Sequence, residues 1–158
     1  MARSDAARPR FTLDSNLLVY SVDNTADERH ALSAQIALAA ARLDCCLTLQ
    51  SVSEFYAVVT RKRIIPGPLA AARANDWLTA FPNAAASASA VRAALAASIA
   101  GRASYWDALL VATAAEAGCT LILTEDLADG GTLAGVEIHN PFDPGGGLTA
   151  RARQLLGL

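Results

Sequence analysis

Ser104–Asp129 reads SYWDALLVATAAEAGCTLILTEDLAD, and the fold turns on this stretch. From Ala108 to Ala115 it carries no charge, and a helix apolar on nearly every face is a buried helix. Gly118 ends that helix, and Leu121-Ile122-Leu123 has the length and composition of a fully buried strand. One carboxylate, Asp107, opens the buried helix; Thr124-Glu125-Asp126 follows the strand. Buried elements rarely carry acids unless something pairs with them.

Working outward, the 158 residues suit one domain with its own core. Hydrophobic residues make up 53% and charged residues 18%, which excludes disorder over most of the chain. Thirteen Lys+Arg against 15 Asp+Glu give a net charge of −2, and Lys62 is the sole lysine. That balance excludes a protein holding duplex DNA by phosphate contacts alone. No apolar run reaches the roughly 18–20 residues a bilayer span needs, and no signal peptide is recognisable, so the expectation is a soluble, cytoplasmic protein without membrane contact. Cys45, Cys46 and Cys119 lie in apolar segments and read as reduced, buried small hydrophobes. His30 and His139 are the only histidines, which leaves histidine-centred acid–base chemistry little to work with.

Before the organising stretch, Phe11–Leu13 reads as a short strand ending at Asp14, and Ala31–Leu43 as an Ala-rich helix. Cys45–Leu49 reads as a second buried strand leading into a helix through Arg61. Pro66 and Pro68 bound the next helix, Asn83–Ser89 leaves room for a short edge strand, and Val91–Ala100 is helical. After it, Gly130-Gly131 marks a turn, Val136–Ile138 a last strand, and Gly145–Gly147 loosens the chain before a short C-terminal helix. Short apolar strands alternating with helices predict an α/β fold with a mainly parallel central sheet and helices on both faces. Residues 1–10 read as a flexible basic arm, 11–143 as the domain, and 144–158 as a glycine-rich link with its helix.

In such sheets ligands bind outside the carboxyl ends of the strands. Four junctions carry an acid there: Asp14, Glu54, Asp107 and Asp126. Each has a local structural reading. Ser51-x-x-Glu54 and Ser104-x-x-Asp107 match capping boxes, and Asp14 and Asp126 are candidate N-caps. Together they weigh differently, because two carboxylates about 5 Å apart repel by about 3 kcal/mol at an effective dielectric near 20. No basic residue lies within three positions of Asp14, Glu54 or Asp126. An all-oxygen ligand set selects Mg²⁺ or Mn²⁺ over zinc, and such an ion activates water for attack on phosphorus.

The motifs resemble those of PIN-domain ribonucleases. Leu13-Asp14-Ser15-Asn16 resembles their opening strand motif, Ser53-Glu54-Phe55 their second acid, Tyr105–Ala114 their third, and Leu123-Thr124-Glu125-Asp126 their fourth; Asn140-Pro141-Phe142 is similar to their tail. The match covers roughly residues 11 to 143, and the single-domain length looks most like VapC-type toxins of bacterial toxin–antitoxin systems. The resemblance implies a single PIN-like domain with a sheet of four to five strands. It also implies Mg²⁺- or Mn²⁺-dependent endonucleolytic cleavage of RNA, a homodimer, and inhibition by a small antitoxin. Asp14, Glu54, Asp107 and Asp126 would be metal ligands or orienters of the attacking water. Ser15, Asn16 and Thr124 would support them, with Asp129 a further acid that also suits an ordinary turn. Glu125 reads as pointing to solvent.

Arg61-Lys62-Arg63 is the candidate RNA contact, against a reading as helix-end charges. Trp77 and Trp106 could stack on bases, although Trp106, beside a buried segment, reads as core. Three alternatives stand beside the toxin reading: a stand-alone RNA-processing nuclease, a catalytically silent binding module of the same fold, and a phosphoacceptor domain. The last wants a lysine near the late strands, and Lys62 lies at the end of an early helix.

Overall fold

A computed structural model describes residues 8–158. Its elements in chain order are β1 (Phe11–Leu13), α1 (Ser15–Tyr20), α2 (Glu28–Ala40), β2 (Leu47–Thr48), α3 (Leu49–Arg61), α4 (Gly67–Ala80), β3 (Asn83–Ala84), α5 (Ala88–Ile99), α6 (Tyr105–Glu116), β4 (Leu121–Leu123), β5 (Thr132–Leu133), β6 (Val136–His139) and α7 (Ala150–Leu156). Four strands form a sheet in the order β1-β4-β6-β5, and β2 pairs with β3. A single parallel bridge from Phe11 to Cys45 links the two sheets. All pairings are parallel except β5 with β6, so the fold is the expected α/β architecture with a mainly parallel sheet.

Side chains alternate across a strand, and β4 shows the result. Leu121 and Leu123 enter a large core with Phe11, Leu13, Phe55 and Trp77, while Ile122 enters a second core with Leu110, Val111, Val136 and Ile138. Helix α6 is apolar all round because it is enclosed on three sides. Leu110 and Val111 face the sheet, Ala108, Leu109 and Ala112 meet Ala90 and Ala94 of α5, and Ala114 packs on Cys46 and Cys119. The three cysteines are free and buried, as expected.

Several boundaries differ from the sequence expectation. Helix α2 starts three residues early, and α5 begins at Ala88 because Ser87 caps it by accepting from Ala90 N–H. The second strand shrinks to Leu47–Thr48, since Thr48 turns its hydroxyl to Ser51 N–H and starts α3 at once. The capping box expected at Ser51–Glu54 therefore does not form, and the Ser51 hydroxyl donates to Leu13 O instead. Removing that cap with Thr48→Ala is expected to cost about 1–2 kcal/mol, read as a lower urea midpoint at unchanged slope; an unchanged midpoint would contradict the capping role. Strand β5 (Thr132–Leu133) has no counterpart in the sequence expectation. It forms a two-residue hairpin with β6 around Ala134 and Gly135, whose φ of 51° and 76° suit a type I′ turn.

The C-terminal helix is part of the main core, through Ala152, Leu155 and Leu156. Of the arm expected over residues 1–10, the first seven lie outside the described residues. Arg10 is held in place, its carbonyl accepting from Thr120 N–H and its side chain facing Asp44. Among the described residues, no helix is long and apolar enough to cross a membrane.

Candidate active site

Parallel, in-register pairing builds the centre of the site. Leu13 of β1 sits opposite Leu123 of β4, so the next residues, Asp14 and Thr124, emerge side by side at the carboxyl edge. Asp14 N–H donates to Leu123 O, and Thr124 N–H to His139 O. The Asp14 carboxylate, 4% exposed, accepts from Ser15 N–H at 2.6 Å on one oxygen and from the Thr124 hydroxyl at 2.7 Å on the other. It is thus also the cap of α1.

Thr124 is the hub of the arrangement. Besides donating to Asp14, its hydroxyl accepts from Asp126 N–H at 3.1 Å and lies 3.5 Å from the Asn16 amide nitrogen. The Ser15 hydroxyl crosses from α1 to α3 and donates to Glu54 Oε2 at 2.9 Å. Gln50, one turn before Glu54, donates to Glu54 Oε1 at 2.8 Å and to the Trp106 carbonyl at 2.9 Å. That second bond ties the first turn of α6 to the acid on α3.

Burial pushes the Asp14 carboxyl up to about 6; the bonds from Thr124 and Ser15 oppose the rise, and the charges of Asp126 and Glu54 add to it. Three of the sequence-derived acids therefore sense one another around Asp14. The fourth is oriented differently. The Asp107 carboxylate accepts from the Ser104 hydroxyl at 2.7 Å, and its N–H donates back to that hydroxyl, which caps α6. Among the described residues, no three Asp, Glu, His or Cys side chains stand as a ready-made metal cage.

The flanking residues divide in the same way. Asp129 turns from Asp126 toward β6, accepting from Asn140 N–H at 2.8 Å and facing His139. Glu125 does not point into solvent. Tyr20 and Arg29 both donate to it, and Arg29 also lies over the Phe142 ring, so Glu125 fastens the loop that carries Asp126. Sequence reading had no local signal for these partners, which lie 105 and 96 residues away. Gln50 was also missed, although its i−4 spacing from Glu54 puts both on one helix face. Trp106 is 61% exposed and not core, whereas Trp77 is 6% exposed. Of the basic tripeptide, Arg61 lines a groove with Glu54 and Trp106, and Arg63 borders a separate depression beside Tyr56.

Two observations bear on a cation. None of the four acids takes part in a salt bridge among the described residues. The amide oxygens of Asn16 and Gln50 are buried without a hydrogen-bond partner, although their nitrogens belong to the network around Thr124 and Glu54. Uncompensated carboxylates with unpaired neutral oxygens are a hard donor set, and the buried cysteines are held elsewhere in the core.

Comparison with known proteins follows the same lines. The family model described as PIN domain matches residues 11–128. No curated protein matches the chain. Among solved structures, the chain is similar to Mycobacterium tuberculosis VapC20, a toxin that cleaves the sarcin–ricin loop, at 16% identity and a TM-score of 0.58, covering 73% of this chain and 89% of that one. It is similar to VapBC2 of Rickettsia felis bound to a promoter DNA fragment, at 15% identity and 0.58, covering 82% and 97%. DNA-bound VapBC of Salmonella typhimurium gives 13% identity and 0.56, covering 83% and 97%. At those identities the structures speak for the fold, and the family model, spanning most of the chain, speaks for the lineage: this chain belongs to the PIN-domain family.

Proposed function

We propose that the protein is a divalent-metal-dependent endoribonuclease acting as the toxin of a VapBC-type pair, with a small antitoxin as inhibitor and a homodimer as its working form in the cytoplasm. The observation that carries the nuclease reading is the buried Asp14 carboxylate, near enough to Glu54 and Asp126 to feel their charges, with no basic side chain among the described residues paired to any of the three. Such a cluster is costly in the folded protein unless a positive ion joins it. The toxin reading is supported by the fold shared with VapC20 and the two VapBC assemblies.

Asp14, Glu54 and Asp126 would hold the ion, Asp107 would complete or orient the centre, and the Asn16 and Gln50 oxygens would add neutral donors. Mg²⁺ or Mn²⁺ supplies charge neutralisation and a water of lowered pKa. The chain's own contribution is positioning. Thr124 and Ser15 N–H hold Asp14 by one oxygen each, Ser15 and Gln50 hold Glu54, and the Tyr20–Glu125–Arg29 latch keeps the Asp126 loop against α1 and α2. Trp106, the residue before Asp107, is tied through Gln50 to Glu54, which supports a role for Asp107 beside the same centre. There Asp107 would orient the attacking water.

Purified protein is expected to cleave single-stranded RNA internally with Mg²⁺ or Mn²⁺ and to stop on adding EDTA. Without RNA, Mn²⁺ at about 100 times its Kd should stabilise the fold by about 2.7 kcal/mol, read as a higher melting temperature. Cleavage that persists in EDTA, or a melting temperature indifferent to Mn²⁺, would overturn the metal assignment; a stabilised protein that leaves RNA intact would overturn the nuclease.

A further inference from the structure

We propose that Trp106 is a stacking platform for a nucleobase of single-stranded RNA beside the catalytic acids; the proposal rests on the nuclease reading and deepens it. Tryptophan is usually mostly buried, yet the Trp106 indole is 61% exposed. It borders a groove of about 730 Å³ between α3 and α6, within the roughly 300–1,000 Å³ that hold single small ligands.

The walls of the groove suit a nucleotide. Gln50, Glu54, Ala57 and Arg61 recur at helical spacing on one face of α3, opposite Trp106 and Leu109 of α6. The small Ala57 side chain leaves room above a floor formed by Leu109, which is itself buried. Glu54 and Arg61 both line the groove, and the Arg61 guanidinium can pair with a phosphate. A nucleotide in the groove would meet both a stacking surface and a cation.

The backbone of Trp106 is tied to Glu54 through Gln50. Its carbonyl accepts from the amide that donates to Glu54, and Tyr105 meets the indole edge-to-face at 5.1 Å and 68°, not stacked on it. Every base has a π face, so stacking of this kind tolerates sequence and selects for unpaired strands. Glu54 and Arg61 within the same groove favour a charged, segmented ligand.

The test measures binding of short single-stranded oligo(U) and oligo(A) with Mg²⁺, in an Asp14→Asn background that leaves RNA intact, by tryptophan fluorescence and by anisotropy of labelled RNA. Trp77 is buried, so quenching on titration is expected to come from Trp106 and to vanish in Trp106→Phe. Adding Trp106→Ala should raise Kd about 5- to 100-fold, and Trp106→Phe should restore most of the affinity. In the otherwise wild-type protein, Trp106→Ala should raise KM more than it lowers kcat, with the melting temperature unchanged. Unchanged RNA affinity in Trp106→Ala, with wild-type metal-dependent cleavage intact, overturns the platform and leaves the nuclease standing. A Trp106→Ala protein that keeps its RNA affinity but sediments as a monomer where the parent is a dimer overturns it in favour of a contact between copies. Absence of cleavage by the parent protein overturns the nuclease and the platform with it.

Discussion

Asp14→Asn is expected to lower metal-dependent RNA cleavage by about 10²–10⁴-fold, the range for losing a group that acts directly in proton transfer or water activation, while raising the stability of the metal-free fold. Both effects come from one buried charge. The Asp14 carboxyl is pushed from 3.8 to about 6, mainly by burial. Its folded pKa is therefore above its unfolded value, and between about pH 4 and 6 the native state binds more protons than the unfolded one. Stability from this group falls as pH rises through that window and levels off above it. At pH 7 the ionised carboxylate costs at most about 3 kcal/mol relative to a neutral group.

Asparagine removes the charge and can keep an oxygen toward Ser15 N–H. Its amide would meet the Thr124 hydroxyl, which already accepts from Asp126 N–H, so part of the gain is lost. The measurement is urea unfolding of both proteins in EDTA across pH 4–8. The wild-type midpoint should drop between about pH 4 and 6 more steeply than the variant's, and Mn²⁺ should raise the melting temperature of the wild type far more. Parallel pH profiles would show that Asp14 is not the strained group. Full cleavage in the variant would remove it from the chemistry.

Phe55→Ala is expected to cost about 3–5 kcal/mol, a large part of the roughly 5–15 kcal/mol that holds a domain together. Phe55 has no exposed surface, and its ring meets Trp77 edge-to-face at 4.6 Å between α3 and α4. Truncation opens a cavity where the helix bearing Glu54 is anchored. A fall in urea midpoint without a change of slope is the expected signature, with activity falling in step as the fold loosens. Tyr56→Ala, one residue on and 43% exposed, serves as the contrast and should shift the midpoint by less than about 1 kcal/mol. Equal losses in both variants would contradict the packing of α3 on α4.

Much of this was legible from local pattern. The charge-free run from Ala108 to Ala115 marked an enclosed helix, and three short apolar runs marked β1, β4 and β6. Where reading erred, a competing local interaction had won. Thr48 capped α3 before Cys45–Leu49 could extend as a strand, and Ala134-Gly135 supplied positive φ without the Asn-Gly signature that would have announced a hairpin. Trp106 was read as core because its neighbours are buried. It lies in the first turn of α6, ahead of the run from Ala108 that the sheet and α5 enclose.

What the sequence determined by itself is most of the strands and helices in their order and the placing of Asp14, Asp107 and Asp126 at element ends, because hydrophobic period and chain-local spacing are written residue by residue; Glu54, expected at a junction, lies inside α3 as its sixth residue. Which acids share an environment was decided only by the tertiary structure. The in-register pairing of β1 with β4 sets Asp14 against Thr124, 110 residues away. Ser15 reaches Glu54 across 39 residues, and Glu125 finds Tyr20 and Arg29, 105 and 96 residues away in the chain. Asp107, with a hydroxyl three residues away, stays with Ser104. Hydrogen bonding and desolvation depend on distances in space, and a parallel sheet makes neighbours of residues that no local window contains.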